Sequence, residues 1–160
     1  SSAKPVAAIS VFVDYPEGDE EFQIVKLTTA HRTIELSHVL SAQDLLTHQE
    51  IVRKVPVAED LVRYAVRIAA ASRPKQTGTP DFINEWVSWG AGTRAGQYLI
   101  LGSKARALLK GRAHVTAEDI QTLAYPVLRH RILINYRAEA EGVSVEKVIA
   151  KLLETVKPGR

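Results

Sequence analysis

Residues 58–72 carry the pattern that most constrains the fold, because their apolar side chains recur three and four positions apart. This spacing places those side chains on one face of an amphipathic helix, and that face must be buried against other elements. Cap-like residues at Ser41, Thr116 and Ser144 and a stop glycine at Gly111 predict further helices. We therefore predict an all-α protein, a compact bundle of about five to six helices joined by short loops. The predicted helices cover residues 19–29, 41–52, 58–72, 93–110, 116–128 and 144–156.

The sequence between these helices is less regular. Residues 9–13, with the sequence ISVFV, predict a short N-terminal β-strand that ends in a turn. A lone strand needs a sheet to satisfy its backbone groups, so this prediction points to a sheet outside the chain. Residues 73–82 predict a loop, and residues 129–136 predict either a short strand or an extended connector. We expect Pro126 to end or kink the helix that contains it.

Composition and length exclude several classes of protein. The 160 residues suit one domain, or one domain with an attached arm. The absence of cysteine excludes disulfides and thiolate metal sites, and the five histidines form no metal-binding motif, so we expect no metal site. No window approaches the roughly 18 apolar residues of a membrane span. Residues 1–8 are expected to be an expression scar or a disordered leader.

Charge is distributed unevenly along the chain. Residues 1–60 carry 5 Lys and Arg against 10 Asp and Glu, whereas residues 61–160 carry 16 against 8. A basic C-terminal portion suits an anionic partner such as a nucleic acid, a nucleotide phosphate or an acidic protein face. A solvated helical surface of mixed charge explains the same bias, and both interpretations stay open.

The cluster Gly90-Ala-Gly92-Thr-Arg94-Ala scans as a G-x-G-x-x-A phosphate cradle. The preceding DFINEWVSW does not resemble a buried parallel strand, and no carboxylate lies about twenty positions further on, so a dinucleotide fingerprint is excluded. A Walker A loop is excluded too, because Gly102-Ser103-Lys104 lacks the required earlier glycine. What remains is a glycine-bounded helix start with an arginine in its first turn.

Arg94 has two interpretations that the residues alone do not separate. An arginine beside the exposed N–H groups of a helix start concentrates positive potential and suits a phosphate. Alternatively, its side chain lies over Trp86 and Trp89 in a cation–π contact. On the same helix we expect a stripe to face the core, formed by Tyr98, Leu101, Ala105 and Leu108.

Four stretches of the chain carry a resemblance to a known family. They are VDYPEGDEEFQIVK (13–26), VPVAEDLVRYAVRI (55–68), WGAGTRAGQYLILGSKARALLKGRAHVTAEDI (89–120) and YPVLRHRILINYRAEAEGVS (125–144). In content and order they resemble the C-terminal part of MoxR-type AAA+ ATPases. The resemblance implies that residues 9–29 are the end of an AAA+ core, its last strand and a linker helix. It implies that residues 30–160 are the helical lid subdomain.

The resemblance also implies a role for the glycine cluster. In the family, the arginine of the GA-x-x-RA motif is sensor 2, which reaches from the lid to the γ-phosphate of ATP bound with Mg²⁺ in the core. Arg94 occupies that position, with Gly92 and Thr93 beside it; many relatives have proline where Thr93 stands. Walker A, Walker B, sensor 1 and arginine-finger residues are not found. We therefore expect this chain alone to bind ATP poorly and not to hydrolyse it.

Family resemblance further implies a cytoplasmic, hexameric ring that acts on partner proteins in a chaperone-like way, often beside von Willebrand factor A domain proteins. Arg129, His130 and Arg131 form a basic triplet for which the resemblance suggests contact with the core or a neighbouring subunit, while a solvated helix terminus is the simpler interpretation. The alternative function is a stand-alone helical binding module. Its basic C-terminal half would contact nucleic acid or an acidic protein.

Overall fold

The computed structural model describes residues 8–31 and 36–159. Within them the chain forms eight helices and one two-stranded antiparallel ladder of β1 with β2, so the predicted mainly helical fold is confirmed. The helices are α1 (Gly18–Thr29), α2 (Ala42–Lys54), α3 (Glu59–Ala71), α4 (Asp81–Trp86), α5 (Thr93–Leu109), α6 (Ala117–Leu128), α7 (Tyr136–Ala140) and α8 (Val145–Thr155). The strands are β1 (Val87–Trp89) and β2 (Leu133–Ile134). Most of the predicted leader lies outside the described residues.

Helix α5 occupies the centre of the bundle and packs against α6, α3 and α2. Its buried face is made mostly of small residues, which let the neighbouring helices approach closely. These residues are Ala95, Gly96, Leu99, Ser103 and Ala107. The predicted core stripe of α5 is therefore only partly right: Tyr98 and Leu108 pack against the core from partly buried positions, whereas the partly buried Leu101 and Ala105 do not belong to it. Apolar residues occur on several faces of α5, so the pattern alone does not fix which face turns inward.

The helix ends follow from local capping chemistry, as the sequence predicts. Ser41 and Thr116 each begin a helix with a reciprocal capping box, and the Ser144 hydroxyl accepts from the Lys147 N–H at 3.2 Å. Gly111 adopts φ 71°, which suits a residue just after a helix. Of the two outcomes expected at Pro126, an end of the helix is wrong, because α6 continues to Leu128, the predicted last residue. A kink stays a prediction. Val127 and Leu128 are fully buried, and their packing holds the last turn in place.

Residues 9–13 form no strand, so the prediction of an N-terminal strand is wrong for the described structure. The described part of the chain places no strand beside them, and a strand cannot form without a neighbour. One backbone bond, from the Ser10 N–H to the Pro126 carbonyl at 2.7 Å, joins the segment to the end of α6. Helices α1 and α2 bury no residue at all.

Two short helices and the ladder were not predicted. Helix α4 falls at the end of the predicted loop and is held by the buried Phe82 and Ile83. Helix α7 begins at Asn135, whose side chain accepts from the Ala138 N–H at 2.9 Å. Both helices are too short to show a helical period. Strand β2 lies within the segment for which a short strand was one of two interpretations.

Candidate functional site

The loop before α5 is clamped to the end of α3. The Ser72 hydroxyl donates to the Ala69 carbonyl at 2.7 Å and accepts from the Ala91 N–H at 2.9 Å, and the Arg73 Nε donates to the Ala91 carbonyl at 2.8 Å. A Cβ at position 90 would stand 2.3 Å from the Ser72 carbonyl oxygen. Gly90 is therefore required by the close approach of two backbones, and the start of α5 is firmly placed.

The N-terminus of α5 itself is open. Gly92 precedes the first turn with an extended backbone, φ −78° and ψ −179°, and supplies no side-chain cap. Neither the Thr93 N–H nor the Arg94 N–H has a hydrogen-bond partner among the residues that the structure describes. Unsatisfied N–H groups and the helix dipole give this end a positive potential. Gly92, Thr93 and Arg94 are all exposed, so an anion could reach them.

Arg94 extends from this open end into solvent. In residues 8–31 and 36–159 its guanidinium makes no hydrogen bond, ion pair or ring contact. The ammonium group of Lys151, rather than Arg94, lies over the Trp86 ring, 4.6 Å from its centroid. The Trp86 indole N–H donates to Glu141 Oε2 at 3.1 Å. Trp89 is 71% exposed. The interpretation that Arg94 lies over the tryptophans is therefore wrong for this structure, whereas its role at a phosphate stays a prediction.

Open concave surface flanks the start of α5 on both sides. One cavity of about 660 Å³ runs along α3 and α5 and includes Thr93 and Gly96, with the apolar side chains of Val62 and Val66 in its wall. A second, of about 760 Å³, is lined by the 90–92 loop, Trp89 and Lys75, among others. Both cavities are open to solvent next to the start of α5.

A buried carboxylate fixes the other end of α5. Asp119 is fully buried and accepts from Arg112 Nη2 at 2.6 Å, from Arg106 Nη1, and from the Thr116 N–H at 2.9 Å. Burial raises the pKa of Asp119, but the hydrogen bonds from Arg112, Thr116 and Arg106 outweigh burial and hold that pKa well below its usual range. Asp119 completes the capping box that Thr116 begins, and its pairing with two arginines, 13 and 7 positions away, was missed by the sequence analysis.

Arg129 and Arg131 contact the N-terminal segment of the same chain. Arg129 Nη1 donates to the Ser10 carbonyl at 3.1 Å, and Arg131 Nη1 donates to the Ala8 carbonyl at 3.0 Å. Burial lowers the pKa of Arg131. The simpler interpretation, a solvated helix terminus, fails for Arg129, whose side chain is only 15% exposed. His130 is exposed, and contact of the triplet with a core or a neighbouring subunit stays a prediction.

No group of three or more His, Asp or Glu residues in the described ranges is arranged to hold a metal ion. Over those same ranges, no helix has both the length and the apolar character that crossing a membrane demands.

Comparison with known proteins places the fold. Residues 81–152 match a family model described as an AAA lid domain. The chain is 37% identical over 145 residues to Chaperone MoxR1 of Mycobacterium tuberculosis, covering 90% of this chain and 38% of that protein. It is 28% identical over 144 residues to the uncharacterized protein YeaC of Bacillus subtilis, covering 89% of this chain and 42% of that one. The crystal structure of a candidate ATPase from Cytophaga hutchinsonii superposes with a TM-score of 0.82 at 28% identity, covering 98% of this chain and 50% of that chain.

The helical bundle and the matched family model define the class: this chain carries an AAA lid domain. The similarity to MoxR1, together with the superposition on the ATPase structure, assigns the lid to the MoxR type. The chain spans between 38% and 50% of the length of these three relatives. The identification therefore concerns the lid alone.

Proposed function

We propose that this chain is the lid of a longer MoxR-type AAA+ ATPase, in which Arg94 acts as the sensor 2 residue. Residues 9–29 would form the end of the ATPase core and residues 30–160 the lid subdomain. The observation that carries the proposal is the state of Arg94: it stands at an uncapped helix start, exposed and without a partner among the described residues. Its ligand would be the γ-phosphate of ATP, bound with Mg²⁺ by the core.

The chemistry of Arg94 suits a phosphate whose charge changes during reaction. An arginine guanidinium carries a positive charge and can donate two parallel hydrogen bonds to phosphate oxygens. Gly92 and Thr93 add backbone N–H groups at the positive end of α5. As the bond between the β- and γ-phosphates breaks, charge shifts among these oxygens, and a placed cation favours hydrolysis. Arg94 would be the catalytic residue of this chain, and the cradle for the triphosphate would come from the core.

The exposed apolar surface of α1 and α2 supports a core partner. Four large apolar residues of α1 are at least half exposed: Phe22 (62%), Ile24 (50%), Val25 (54%) and Leu27 (52%). On α2, Leu45 and Leu46 are 52% and 55% exposed. A monomer seldom presents so much apolar surface unless another domain covers it. In the intact ATPase we assign this surface to contacts with the core of the same subunit or its neighbour in a hexameric ring.

Rotation of the lid would then be the movement that ATP binding and hydrolysis produce. One of the relatives is named as a chaperone. By analogy, the assembly would remodel partner proteins in the cytoplasm, with von Willebrand factor A domain proteins as candidate partners. The lid would move as a rigid body when the γ-phosphate is lost, because Arg94 would no longer be held.

Arg94 substitutions in the intact ATPase test the proposal. Arg94→Ala should lower ATP turnover by more than about tenfold, since phosphate-stabilising arginines commonly contribute that much or more. Arg94→Lys should fall in between, because it keeps the charge and loses the two-pronged geometry. Arg63→Ala is the matched control, an exposed arginine of α3 that pairs with Glu59 and should leave turnover unchanged. Wild-type turnover in Arg94→Ala would refute the role, and tight, salt-dependent oligonucleotide binding would favour the binding-module alternative.

A further inference from the structure

Arg129 holds residues 10–12 against the bundle through two kinds of contact. Its Nη1 donates to the Ser10 carbonyl at 3.1 Å, and its guanidinium carbon lies 4.2 Å from the centroid of the Phe12 ring. Glu146 Oε1 is 3.3 Å from Arg129 Nε, but the two atoms are not aligned for a hydrogen bond. Ser10 and Phe12 therefore contact a cation that is mostly buried. A contact with such a cation stabilises the structure more than a contact with a solvent-exposed cation does.

Arg131 joins the same segment to the helix that carries Arg94. Its Nη1 donates to the Ala8 carbonyl at 3.0 Å and to the Val127 carbonyl in the last turn of α6. Its guanidinium carbon is 5.0 Å from the centroid of the Tyr98 ring. Tyr98 is four positions after Arg94, so the two residues lie one turn apart on α5.

The backbone of the segment is fastened at the same place. The Ser10 N–H donates to the Pro126 carbonyl at 2.7 Å, near the end of α6. Ser10 thus has both its N–H and its carbonyl engaged, one by α6 and the other by Arg129. A segment held at both backbone groups and at one ring moves together with the helices that hold it.

We infer that Arg129 and Arg131, here termed the arginine clamp, are positioning residues that join residues 8–12 to α5 and α6. A movement of the ATPase core would pass through residues 8–12 and the arginine clamp to α5, and so would set where Arg94 stands. The inference rests on the proposed function, since that function assigns residues 9–12, which directly follow Ala8, to the core. Neither clamp arginine touches nucleotide; both act through Arg94.

Amide exchange of Ser10 in the 160-residue chain tests the clamp without any ATPase activity. The Ser10 N–H should be protected in the wild type, and Arg129→Gln and Arg131→Gln should each raise its exchange rate by about tenfold or more through opening of the segment. Phe12→Leu changes an exposed side chain and leaves the hydrophobic core of the bundle intact. It should raise the Ser10 exchange rate by about threefold, which corresponds to the loss of one cation–π contact. Arg63→Gln should change nothing. Unaltered Ser10 exchange in Arg129→Gln, Arg131→Gln and Phe12→Leu would overturn the inference.

A double-mutant cycle in the intact ATPase separates positioning from mere stability. Alone, Arg131→Gln should lower the turnover number about fivefold with little change in KM for ATP, because misplacing a catalytic group slows the chemical step. In an Arg94→Ala background the same substitution should have almost no further effect. Equal effects in both backgrounds would overturn the positioning role. If Arg94→Ala itself leaves turnover unchanged, the proposed function fails, and the Ser10 exchange result still decides whether the clamp exists.

Discussion

Replacing Asp119 with asparagine should destabilise the lid far more than its conservative chemistry suggests. Asparagine keeps the shape of the side chain but removes the charge and puts an NH₂ group where one oxygen accepts hydrogen bonds. Arg106 and Arg112, 20% and 29% exposed, would then lose their shared carboxylate. Breaking a buried ion pair costs about 3–5 kcal/mol, and the partial exposure of both arginines favours the lower end, about 3 kcal/mol. For a chain of this size that corresponds to a fall in Tm of roughly 6–12 °C.

Urea unfolding followed by the fluorescence of Trp86 and Trp89 measures this loss directly. Asp44→Asn is the matched control, because Asp44 occupies the same capping-box position in α2 and accepts from the Ser41 N–H at 2.8 Å. Asp44 is exposed, however, and pairs with no arginine among the described residues. The control should lose much less stability than Asp119→Asn, because it changes only an exposed cap. If the two variants lose the same stability, the buried pairing contributes nothing beyond an ordinary cap, and this reasoning is refuted.

The other predictions concern pH and the clamped start of α5. The Asp119 pKa is held below its usual value of about 3.9, so the folded state binds fewer protons than the unfolded state and loses stability as pH falls from about 4 through the folded-state pKa. When unfolding is measured at decreasing pH, Asp119→Asn should lose stability less steeply than the wild type. An equally steep loss in both proteins would contradict the lowered pKa of Asp119. Gly90→Ala should lower the free energy of unfolding in urea by about 1–3 kcal/mol, because its Cβ would meet the Ser72 carbonyl oxygen at 2.3 Å. The control Gly18→Ala, whose Cβ would have nothing within 4 Å, should be neutral or slightly stabilising. Ser72→Ala should cost about 1–3 kcal/mol, since the Ala91 N–H loses its buried acceptor, and a loss near zero would show that another group satisfies it.

Features encoded locally were predictable from the sequence. Caps at Ser41, Thr116 and Ser144 and the glycine at Gly111 act within a few residues, so the helices they bound fall close to their predicted positions. The strand predicted at residues 9–13 was wrong for the opposite reason: β-branched side chains favour a strand, but only a neighbouring strand can complete one.

Features that depend on distant residues could not be predicted. The inward face of α5 was misjudged because small residues such as Ala95 and Ala107 pack closely, although they are less apolar than Leu101. The partners of Asp119 and the contact between Arg131 and Ala8 join residues that only the folded chain brings together. At the candidate site, the helix start could be predicted at Gly92. The exposure of Arg94 depends on the placement of α3 and the 90–92 loop.

The structure of the intact ATPase with Mg²⁺ and a non-hydrolysable ATP analogue tests the central proposal most directly. The account predicts an Arg94 guanidinium nitrogen within about 3 Å of a γ-phosphate oxygen, as charge-assisted hydrogen bonds require. A nucleotide-bound structure in which Arg94 still extends into solvent, or in which another lid residue contacts that phosphate in its place, would contradict it.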